Sequence, residues 1–313
     1  MILGTLAAAA KGAQVSIDPQ AGGAEAPENR FPTIGVAHRL FRVGRDSSGV
    51  PRKRRPETMA GRVMQLASAG YTETREGFRK RFELVPALDD ELKDQVYRLR
   101  HQVYCEDLAF EPIRPDGRES DEYDAFSTHL LLRYLPTGEF IGCARLVTTP
   151  PDDALYPLPF ERACAATLDR TVIDPARLDR RRIAEASRLA VASAYRRRRG
   201  EALQPVPLSP EDFGVAPRPR FPYILVGLYL GVVAIAHLKG IEKLFLLSEP
   251  RLADHFSRLG VQVLRIGAPV EYRGIRVPSV MDVQGIVAGL NAYSRPIYDE
   301  ILDELARRLG SPA

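Results

Sequence analysis

Residues 185–202 read Glu185-Ala-Ser-Arg-Leu-Ala-Val-Ala-Ser-Ala-Tyr-Arg-Arg-Arg-Arg-Gly-Glu-Ala202. A short apolar strand runs into a basic turn, in which Arg197-x-x-Gly200-x-Ala202 has the spacing R-x-x-G-x-A. Arginines beside a glycine place positive charge next to backbone N–H groups that no large side chain screens, which suits a diphosphate or a phosphopantetheine arm. Taken alone, such a pattern is more often a solvated basic turn, so the flanking segments have to decide between the two interpretations.

Composition excludes several classes of protein. The chain has 313 residues, of which 45% are hydrophobic, so it has ample material for a core. Its 44 basic residues face 40 acidic ones, a balance that argues against a nucleic-acid binder. The three cysteines, Cys105, Cys143 and Cys164, have no metal-type spacing, and their odd number argues against a disulfide framework. We therefore predict a cytoplasmic protein without a metal site.

The N-terminal part lacks sustained periodicity. Met1–Ala10 is apolar but a poor signal peptide, and residues 11 to about 57 are rich in Gly, Pro, Ala and Arg. We predict a mostly disordered extension over residues 1–80. Its basic run Arg52–Arg55 allows peripheral contact with anionic lipid, although a solvated tail is the favoured interpretation. The longest apolar run, Ile224–Ala236, is shorter than the roughly 20 residues that span a bilayer.

From residue 81 onward, strand and helix signals alternate. Their order is strand, helix, three strands, helix, strand, helix, strand, strand, which predicts an α/β domain over residues 81–292 and an amphipathic C-terminal helix within 293–313. The predicted elements are Phe82–Val85, a helix capped by Asp89 or Asp90, the hairpin Thr128–Leu135 with Phe140–Val147, Ile183–Val191, Phe221–Lys239, Glu242–Leu247, a short helix ending at Gly260, Val261–Ile266, Val280–Val283 and Pro296–Leu309.

Several charged residues lie at spacings that suggest a site. Arg100 and Tyr104 are four apart beside a helical apolar stripe, so both can point into a pocket at the helix end. Asp121 and Asp124 share one face of a turn and either orient arginines or cap a loop. Arg145 interrupts an apolar strand, so it lies on a solvated face or is paired. Its candidate partners are Asp121, Asp124 and Glu185.

The element order, with a strand leading into R-x-x-G-x-A, resembles the GNAT acyltransferase superfamily. Within it, a motif series resembles the acyl-homoserine-lactone (autoinducer) synthases and, more closely, the N-acyl amino acid synthases and the PEP-CTERM/exosortase system-associated acyltransferase family. The motifs are Tyr97-Arg-Leu-Arg-His-Gln-Val-Tyr-Cys105, Leu108-Ala-Phe110, Glu119-Ser-Asp-Glu-Tyr-Asp124, Gly142-Cys-Ala-Arg-Leu146, Glu185-Ala-Ser-Arg-Leu-Ala-Val191, Arg196-Arg-Arg-Arg-Gly-Glu201 and Ser248-Glu-Pro-Arg-Leu-Ala253. Two departures count against lactone synthesis: Phe110 stands where lactone synthases typically have tryptophan, and a Pro-rich insert follows the arginine turn.

The resemblance implies a GNAT-like (acyl-CoA N-acyltransferase) mixed central sheet flanked by helices, whose central strands splay around the acyl-pantetheine arm. It also implies roles. Glu185 aligns with the general base, although burial beside Arg188 is equally compatible with a structural ion pair. The thioester carbonyl faces backbone N–H groups of Leu189 and Val191, and the pantetheine phosphate lies against Arg197, Gly200 and Ala202. The charged network on the acceptor side consists of Arg100, Asp121, Asp124, Arg145 and Arg188.

The prediction is therefore an N-acyltransferase that moves a fatty acyl group from an acyl carrier protein or CoA thioester to the amine of an amino acid or a similar small acceptor, with no permanently bound cofactor. An acidic carrier protein would dock on a basic patch formed by Arg196–Arg199 and Arg180–Arg182. Phe221–Lys239 and Leu244–Leu247 either line an acyl pocket or are ordinary core. The alternatives are an acyl-homoserine-lactone synthase, a non-catalytic acyl-thioester-binding protein of the same fold and, with little support, a nucleic-acid binder.

Overall fold

The computed structural model describes residues 75–196, 223–250, 252, 256 and 261–310. All of them belong to one compact unit, whose centre is an eight-stranded mixed sheet. The strands are β1 (Phe82–Pro86), β2 (Ser127–Tyr134), β3 (Glu139–Val147), β4 (Ile183–Val191), β5 (Lys243–Ser248), β6 (Leu264–Arg265), β7 (Val270–Glu271) and β8 (Ile275–Asp282). Their order is β1-β2-β3-β4-β5-β8-β6, with β7 paired to β8. The predicted α/β class is confirmed, and β1 lies at one edge of the sheet.

Helices cover both faces of the sheet. In chain order they are α1 (residues 75–79), α2 (Asp90–Arg100), α3 (Pro159–Ala163), α4 (Tyr223–Leu238), α5 (Val283–Gly289) and α6 (Ser294–Leu309). Asp89 caps α2 by accepting a hydrogen bond from the Leu92 N–H. The chain then continues from α2 into a π-helix, His101–Asp107. The connection between β3 and β4 is partly helical.

Successive side chains of β2 point to opposite faces of the sheet, and each face packs in a different hydrophobic cluster. Leu130 and Leu132 pack in the cluster that contains α4, α5 and α6, whereas Leu131 packs in the cluster that contains α2. Gly231 brings α4 close to the sheet, because a Cβ at this position would lie only 2.4 Å from a methyl carbon of Leu130. The two faces therefore differ in character, with an apolar helical layer on one side and α2 on the other.

The C-terminal helix is part of the main core. Ile297, Ile301 and Leu305 of α6 are fully buried in the same cluster as α4. Phe78 of α1 joins that cluster too, so ordered packing includes residues ahead of the predicted boundary at residue 81.

Several predicted bounds differ from the structure. The strand expected over Val261–Ile266 is reduced to the two residues of β6, because only these pair with β8. The strand expected over Val280–Val283 begins earlier, at Ile275, where a hairpin with β7 extends it. The extension over residues 1–74, the arginine turn and Pro-rich insert over 197–222, and most of the short helix before Gly260 lie outside the described residues.

Two local features of β4 determine where a site can form. β4 is antiparallel to β3 but parallel to β5, and the parallel pairing covers only Ile183–Ala186. Beyond Ala186 the two strands separate, which is the predicted splay. A β-bulge also occurs against β3, because two residues of β4, Arg188 and Leu189, lie opposite the single residue Ala144.

Candidate active site

A cavity of about 170 Å³ occupies the gap between β4 and β5. Ser187 and Leu189 line it from the unpaired part of β4, and Leu246 and Ser248 line it from the end of β5. The cavity therefore passes between two strands of one sheet and reaches both faces of that sheet.

The two ends of the cavity differ in chemistry. On the face covered by α4, its walls are apolar: Tyr229, Val232, Leu246, Leu252, Phe256 and Met281. Tyr229 and Phe256 stack there with ring centroids 4.1 Å apart. On the opposite face, the walls are charged or polar: Tyr104, Glu185, Ser187, Arg188, Arg273 and Arg276. Such a cavity suits a ligand with an apolar tail on one side of the sheet and a polar reacting group on the other.

Among the described residues, two carboxylates line the cavity, Glu185 and Glu249, and Glu249 is paired with Arg276. The Glu185 side chain is buried, and one of its carboxylate oxygens accepts a hydrogen bond of 2.7 Å from the Phe160 backbone N–H. Burial raises the pKa of Glu185 to about 8, although the Phe160 hydrogen bond and the charges of Arg145 and Arg188 act in the opposite direction. A carboxyl group with a pKa near working pH, at the wall of a cavity, is suited to general acid–base chemistry.

Arg188 does not form the alternative structural ion pair with Glu185. It binds Glu119 at 3.1 Å and Asp121 at 3.0 Å, with Glu111 at 3.6 Å. The bulge explains this orientation, because Arg188 adopts a left-handed φ of 48° there. A non-catalytic binding protein would be favoured if Glu185 were buried against Arg188 with no open cleft. The structure shows neither that ion pair nor a closed site.

Three arginines and three carboxylates close a ring behind the charged wall. Arg100 binds Glu119 and, at 2.7 Å, Asp124; Arg145 binds Asp124 and Asp121, each at 2.6 Å. Arg188 closes the ring by binding both Glu119 and Asp121. The ring contains equal numbers of positive and negative groups, so it neutralises itself while holding Arg188 at the cavity.

Opposite charges keep the ring ionised despite burial. Burial opposes ionisation of Asp124, but the guanidinium groups of Arg100 and Arg145 hold the pKa of this carboxyl well below its usual value. Burial likewise opposes ionisation of Glu119, yet Arg100 and Arg188 lower its pKa. Glu185 lacks such direct ion pairs. Its pKa is therefore raised above the usual value, whereas the pKa values of Asp124 and Glu119 are lowered.

The π-helix positions the remaining wall. It directs the Tyr104 hydroxyl to donate a hydrogen bond of 3.1 Å to the Leu189 carbonyl. The Tyr104 carbonyl accepts hydrogen bonds from the N–H groups of Phe110, at 2.8 Å, and Glu111, at 3.1 Å. Insertion of a wider helical turn thus places Phe110 against the cavity and Glu111 beside Arg188.

The structure separates the predicted site residues into groups. Glu185, Arg188 and Leu189 line the cavity. Arg100 does not point into the pocket as expected, because both Glu119 and Asp124 hold it behind the wall.

Asp121, Asp124 and Arg145 also lie behind the wall. Asp121 plays both of its predicted roles: it caps the short helix Glu122–Phe126 and binds arginines. The Val191 side chain is buried in the core beside α4. Arg197, Gly200 and Ala202 lie outside the described residues.

Three residues of the site were not predicted from the sequence. Glu119 belongs to a predicted motif, yet its spacing gave no sign that two arginines converge on it. Arg273 and Glu111 carried no distinguishing pattern, because Arg273 reaches the cavity, and Glu111 reaches Arg188 and Arg273, only through long-range packing. Tyr229 and Leu246 lie in the segments Phe221–Lys239 and Leu244–Leu247, for which lining an acyl pocket was one of the two predicted roles.

The predicted basic patch is wrong in part. Arg180 is buried, and its guanidinium donates to the carbonyls of Ala154 and Tyr156 and binds Glu161 at 2.7 Å. Arg196 is also buried and pairs with Asp107. Because both charges are already bound inside the protein, Arg181 and Arg182 are the exposed arginines of that patch among the described residues.

Across the described ranges, the helices are too short or too polar to cross a membrane. The same ranges hold no cluster of three or more His, Cys, Asp or Glu side chains with a geometry for metal binding.

Parts of the chain are similar in sequence to known proteins. Residues 99–204 match the family described as the acetyltransferase (GNAT) domain. Over 87 residues, 27% of this chain, the sequence is 38% identical to an acyl-homoserine-lactone synthase of Pseudomonas fluorescens. The match spans 44% of that relative's length.

Solved structures are also similar to this chain. The crystal structure of TofI in a ternary complex with an inhibitor and MTA has a TM-score of 0.47 and 22% identity, covering 68% of this chain and 96% of that one. The structure of FeeM, an N-acyl amino acid synthase from uncultured soil microbes, has a TM-score of 0.44 and 15% identity. The match covers 67% of this chain and 95% of FeeM.

The family match confirms the predicted GNAT-like arrangement of a mixed sheet flanked by helices. Residues 99–204 are therefore similar to GNAT-type acetyltransferase domains, and 87 residues of the chain are similar to part of an acyl-homoserine-lactone synthase.

Proposed function

We propose that this protein is an N-acyltransferase that joins a fatty acyl group, delivered as an acyl carrier protein or CoA thioester, to the amine of an amino acid or a similar small acceptor. The observation that carries the proposal is the cavity through the sheet, with Glu185 and Arg188 at its charged end and Tyr229 and Val232 at its apolar end. An acyl chain on the apolar side places its thioester carbonyl in the gap between β4 and β5. The acceptor amine then approaches from the charged side.

Each proton and electron pair has a destination in this reaction. The Glu185 carboxylate removes one proton from the acceptor ammonium, directly or through a water, and the freed nitrogen lone pair attacks the thioester carbonyl. Negative charge develops on the carbonyl oxygen, where N–H groups at the unpaired edge of β4, including that of Leu189 or Val191, would stabilise it. When the adduct collapses, the C–S bond breaks. The nitrogen loses its second proton, which leaves with the sulfur as thiol.

The finer identity of the protein stays a prediction. Membership of the PEP-CTERM/exosortase-associated acyltransferases rests on the motif resemblance. The cytoplasmic location rests on the odd number of cysteines, and docking of a carrier protein rests on the predicted basic patch. The donor thioester, whether on carrier protein or CoA, is a co-substrate, and we propose no permanently bound cofactor.

The curated relative supports a second candidate, synthesis of an acyl-homoserine lactone. That reaction would use the same amine attack and then close a lactone ring on the acceptor. Phe110, at the place where lactone synthases typically have tryptophan, favours the linear amide.

The product decides between the two candidates. Lipid extracts of cells that express the protein are compared by mass spectrometry with extracts from a Glu185→Gln strain and an empty-vector strain. A new N-acyl amino acid that is absent from both controls supports our proposal. A product that gains water in alkali is a lactone and supports the second candidate. Purified protein that transfers no acyl group from either class of thioester to any acceptor contradicts both.

A further inference from the structure

Arg273 lies at the charged end of the cavity and is supplied by an element remote from the motif series. It occupies the turn of the β7–β8 hairpin, which lines the cavity with Arg273 and Arg276. Its backbone has a left-handed φ of 54°, followed by Gly274 with a φ of 90°. A residue other than glycine rarely adopts this conformation. Outside ordinary turns, such residues cluster at active sites and ligand-binding sites.

The turn that presents Arg273 is held in place from within. Arg276 donates a hydrogen bond of 2.8 Å to the Arg273 carbonyl, and Glu249 anchors Arg276 at 2.7 Å. The Tyr272 N–H also donates to the Gly274 carbonyl at 2.9 Å. The hairpin therefore delivers the Arg273 guanidinium to the cavity from a fixed backbone.

Within the described part of the chain, Arg273 has one acidic partner, the Glu111 carboxylate, whereas Arg188 binds three. Glu111 is itself shared, because the same oxygen also faces Arg188 at 3.6 Å. The contact from Arg273 uses one terminal nitrogen, Nη2, although a guanidinium has five N–H donors in a fork that matches a carboxylate. Arg273 thus retains donor capacity toward the cavity, and its contact with Glu111 shows that a carboxylate can pair with its guanidinium.

We propose that Arg273 is an acceptor-binding residue that recognises the carboxylate of an amino-acid substrate. The inference rests on the proposed function and narrows its acceptor to amines that carry a carboxylate. Arg188 and Arg145 are committed to the charged ring. Arg276 uses one terminal nitrogen on Glu249 and the other on the Arg273 carbonyl, which leaves Arg273 as the cation best able to take a new anion. An incoming carboxylate at Arg273 places the acceptor on the side of the sheet where Glu185 receives the ammonium proton.

The test compares an amino acid with its carboxamide as acceptor, which keeps the same side chain and amine but removes the negative charge. Wild-type protein should have a lower KM for the amino acid. Arg273→Gln should raise that KM about 10- to 100-fold, the cost of a lost charge-assisted hydrogen bond, while the KM for the carboxamide changes less than about twofold. Glu111→Gln removes the competing carboxylate, so its KM for the amino acid should stay equal or fall.

A structural role for Arg273 gives a different pattern. If the hairpin merely needs the Arg273–Glu111 pair, both variants weaken both acceptors equally, which overturns the inference. A rise in KM for the acyl thioester instead would assign Arg273 to a donor phosphate and overturn it too. Arg170→Gln, an exposed arginine paired with Asp174, is the matched control and should change neither constant.

Calorimetry of the amino acid binding without donor separates this inference from the proposed function. Binding that Arg273→Gln abolishes supports the assignment even in a protein that shows no transfer. Acyl transfer with no preference for the carboxylate overturns the role of Arg273 and leaves the transferase proposal standing. Absence of both transfer and binding overturns both.

Discussion

Replacing Glu185 by Gln tests the proposed chemistry at a single atom pair. The amide oxygen of Gln can still accept the 2.7 Å hydrogen bond from the Phe160 N–H, so the geometry is kept while the ability to take a proton is lost. Removal of a general base costs about 10²- to 10⁴-fold in rate. We expect kcat/KM of Glu185→Gln to fall by that factor at pH 8.

The pH profile supplies a sharper expectation. The pKa of Glu185 is raised from 4.5 to about 8, so about one-tenth of the free enzyme carries the active carboxylate at pH 7. Wild-type kcat/KM should rise about tenfold per pH unit below pH 8 and then level off. Glu185→Gln can use only acceptor that has lost its proton in solution, so its deficit should shrink as the amine deprotonates at higher pH.

Stability gives the matching control for folding. Between pH 4.5 and about 8 the folded state binds a proton at Glu185 that the unfolded state releases. This contribution to stability is complete below pH 4.5 and is lost as pH rises through 8, by about 1.4 kcal/mol per pH unit. Glu185→Gln lacks that loss. In urea unfolding, the free energy of unfolding of Glu185→Gln should therefore equal that of wild type at pH 4.5 and be higher than that of wild type at pH 8.

The assay follows thiol release from an acyl thioester in the presence of amine, across pH 6–10. Glu76→Gln, an exposed carboxylate paired with Lys80, is the matched control and should keep the wild-type rate and profile. A Glu185→Gln protein with wild-type kcat/KM and an unchanged profile would refute the assignment of the general base. If Glu185→Gln lost activity and were also less stable than wild type at pH 8, the argument that burial raises the pKa of Glu185 would be refuted.

Three further changes probe the ring, the acyl end and the packing of the sheet. Asp124→Asn removes a carboxylate from two buried arginines and should lower the free energy of unfolding in urea by about 3–5 kcal/mol at pH 7. The difference in stability between wild type and variant should become smaller in strong acid, where wild-type Asp124 takes up a proton. Val232→Phe adds bulk at the apolar end, and competition between thioesters should show a shift toward shorter acyl chains; an unchanged preference would place the chain elsewhere. Gly231→Ala forces a Cβ to within 2.4 Å of Leu130 and should lower Tm with a loss of about 1–3 kcal/mol, whereas unchanged stability would contradict the close contact of α4 with the sheet.

The fold was largely predictable because its signals are local. Ile183–Val191 was predicted with the bounds that β4 has, and the hairpin of β2 and β3 was found from two apolar runs around a Pro-Thr-Gly turn. β7 and the start of β8 were missed, since two-residue strands with exposed side chains have no period to detect. Val261–Ile266 was predicted as a longer strand than β6, because an apolar run does not show which of its residues pair with a neighbouring strand.

The site was predictable only where a charge interrupts an apolar pattern. Arg145 inside β3 was predicted to lie on a solvated face or to be paired, and the structure shows that it is paired. It binds two of its three candidate partners, Asp121 and Asp124, and does not bind Glu185. Glu119 and Glu111 could not be assigned, because nothing in an acidic loop distinguishes the carboxylates that turn inward. Arg100 was expected at the pocket since helical spacing shows which face a residue is on, but does not show what lies in front of it.

The sequence by itself determined the order of elements, the apolar character of α4 and the presence of a buried glutamate in β4, because each depends on neighbours within a few residues. Tertiary structure decided the separation of β4 from β5, the bulge that turns Arg188 away from Glu185, and the approach of the β7–β8 hairpin to the cavity. It also decided the chemistry of the acids. The pKa of a carboxyl group depends on its burial and on the charges within a few ångströms. Asp124, beside two arginines, therefore stays ionised, while the buried Glu185 keeps its proton to about pH 8.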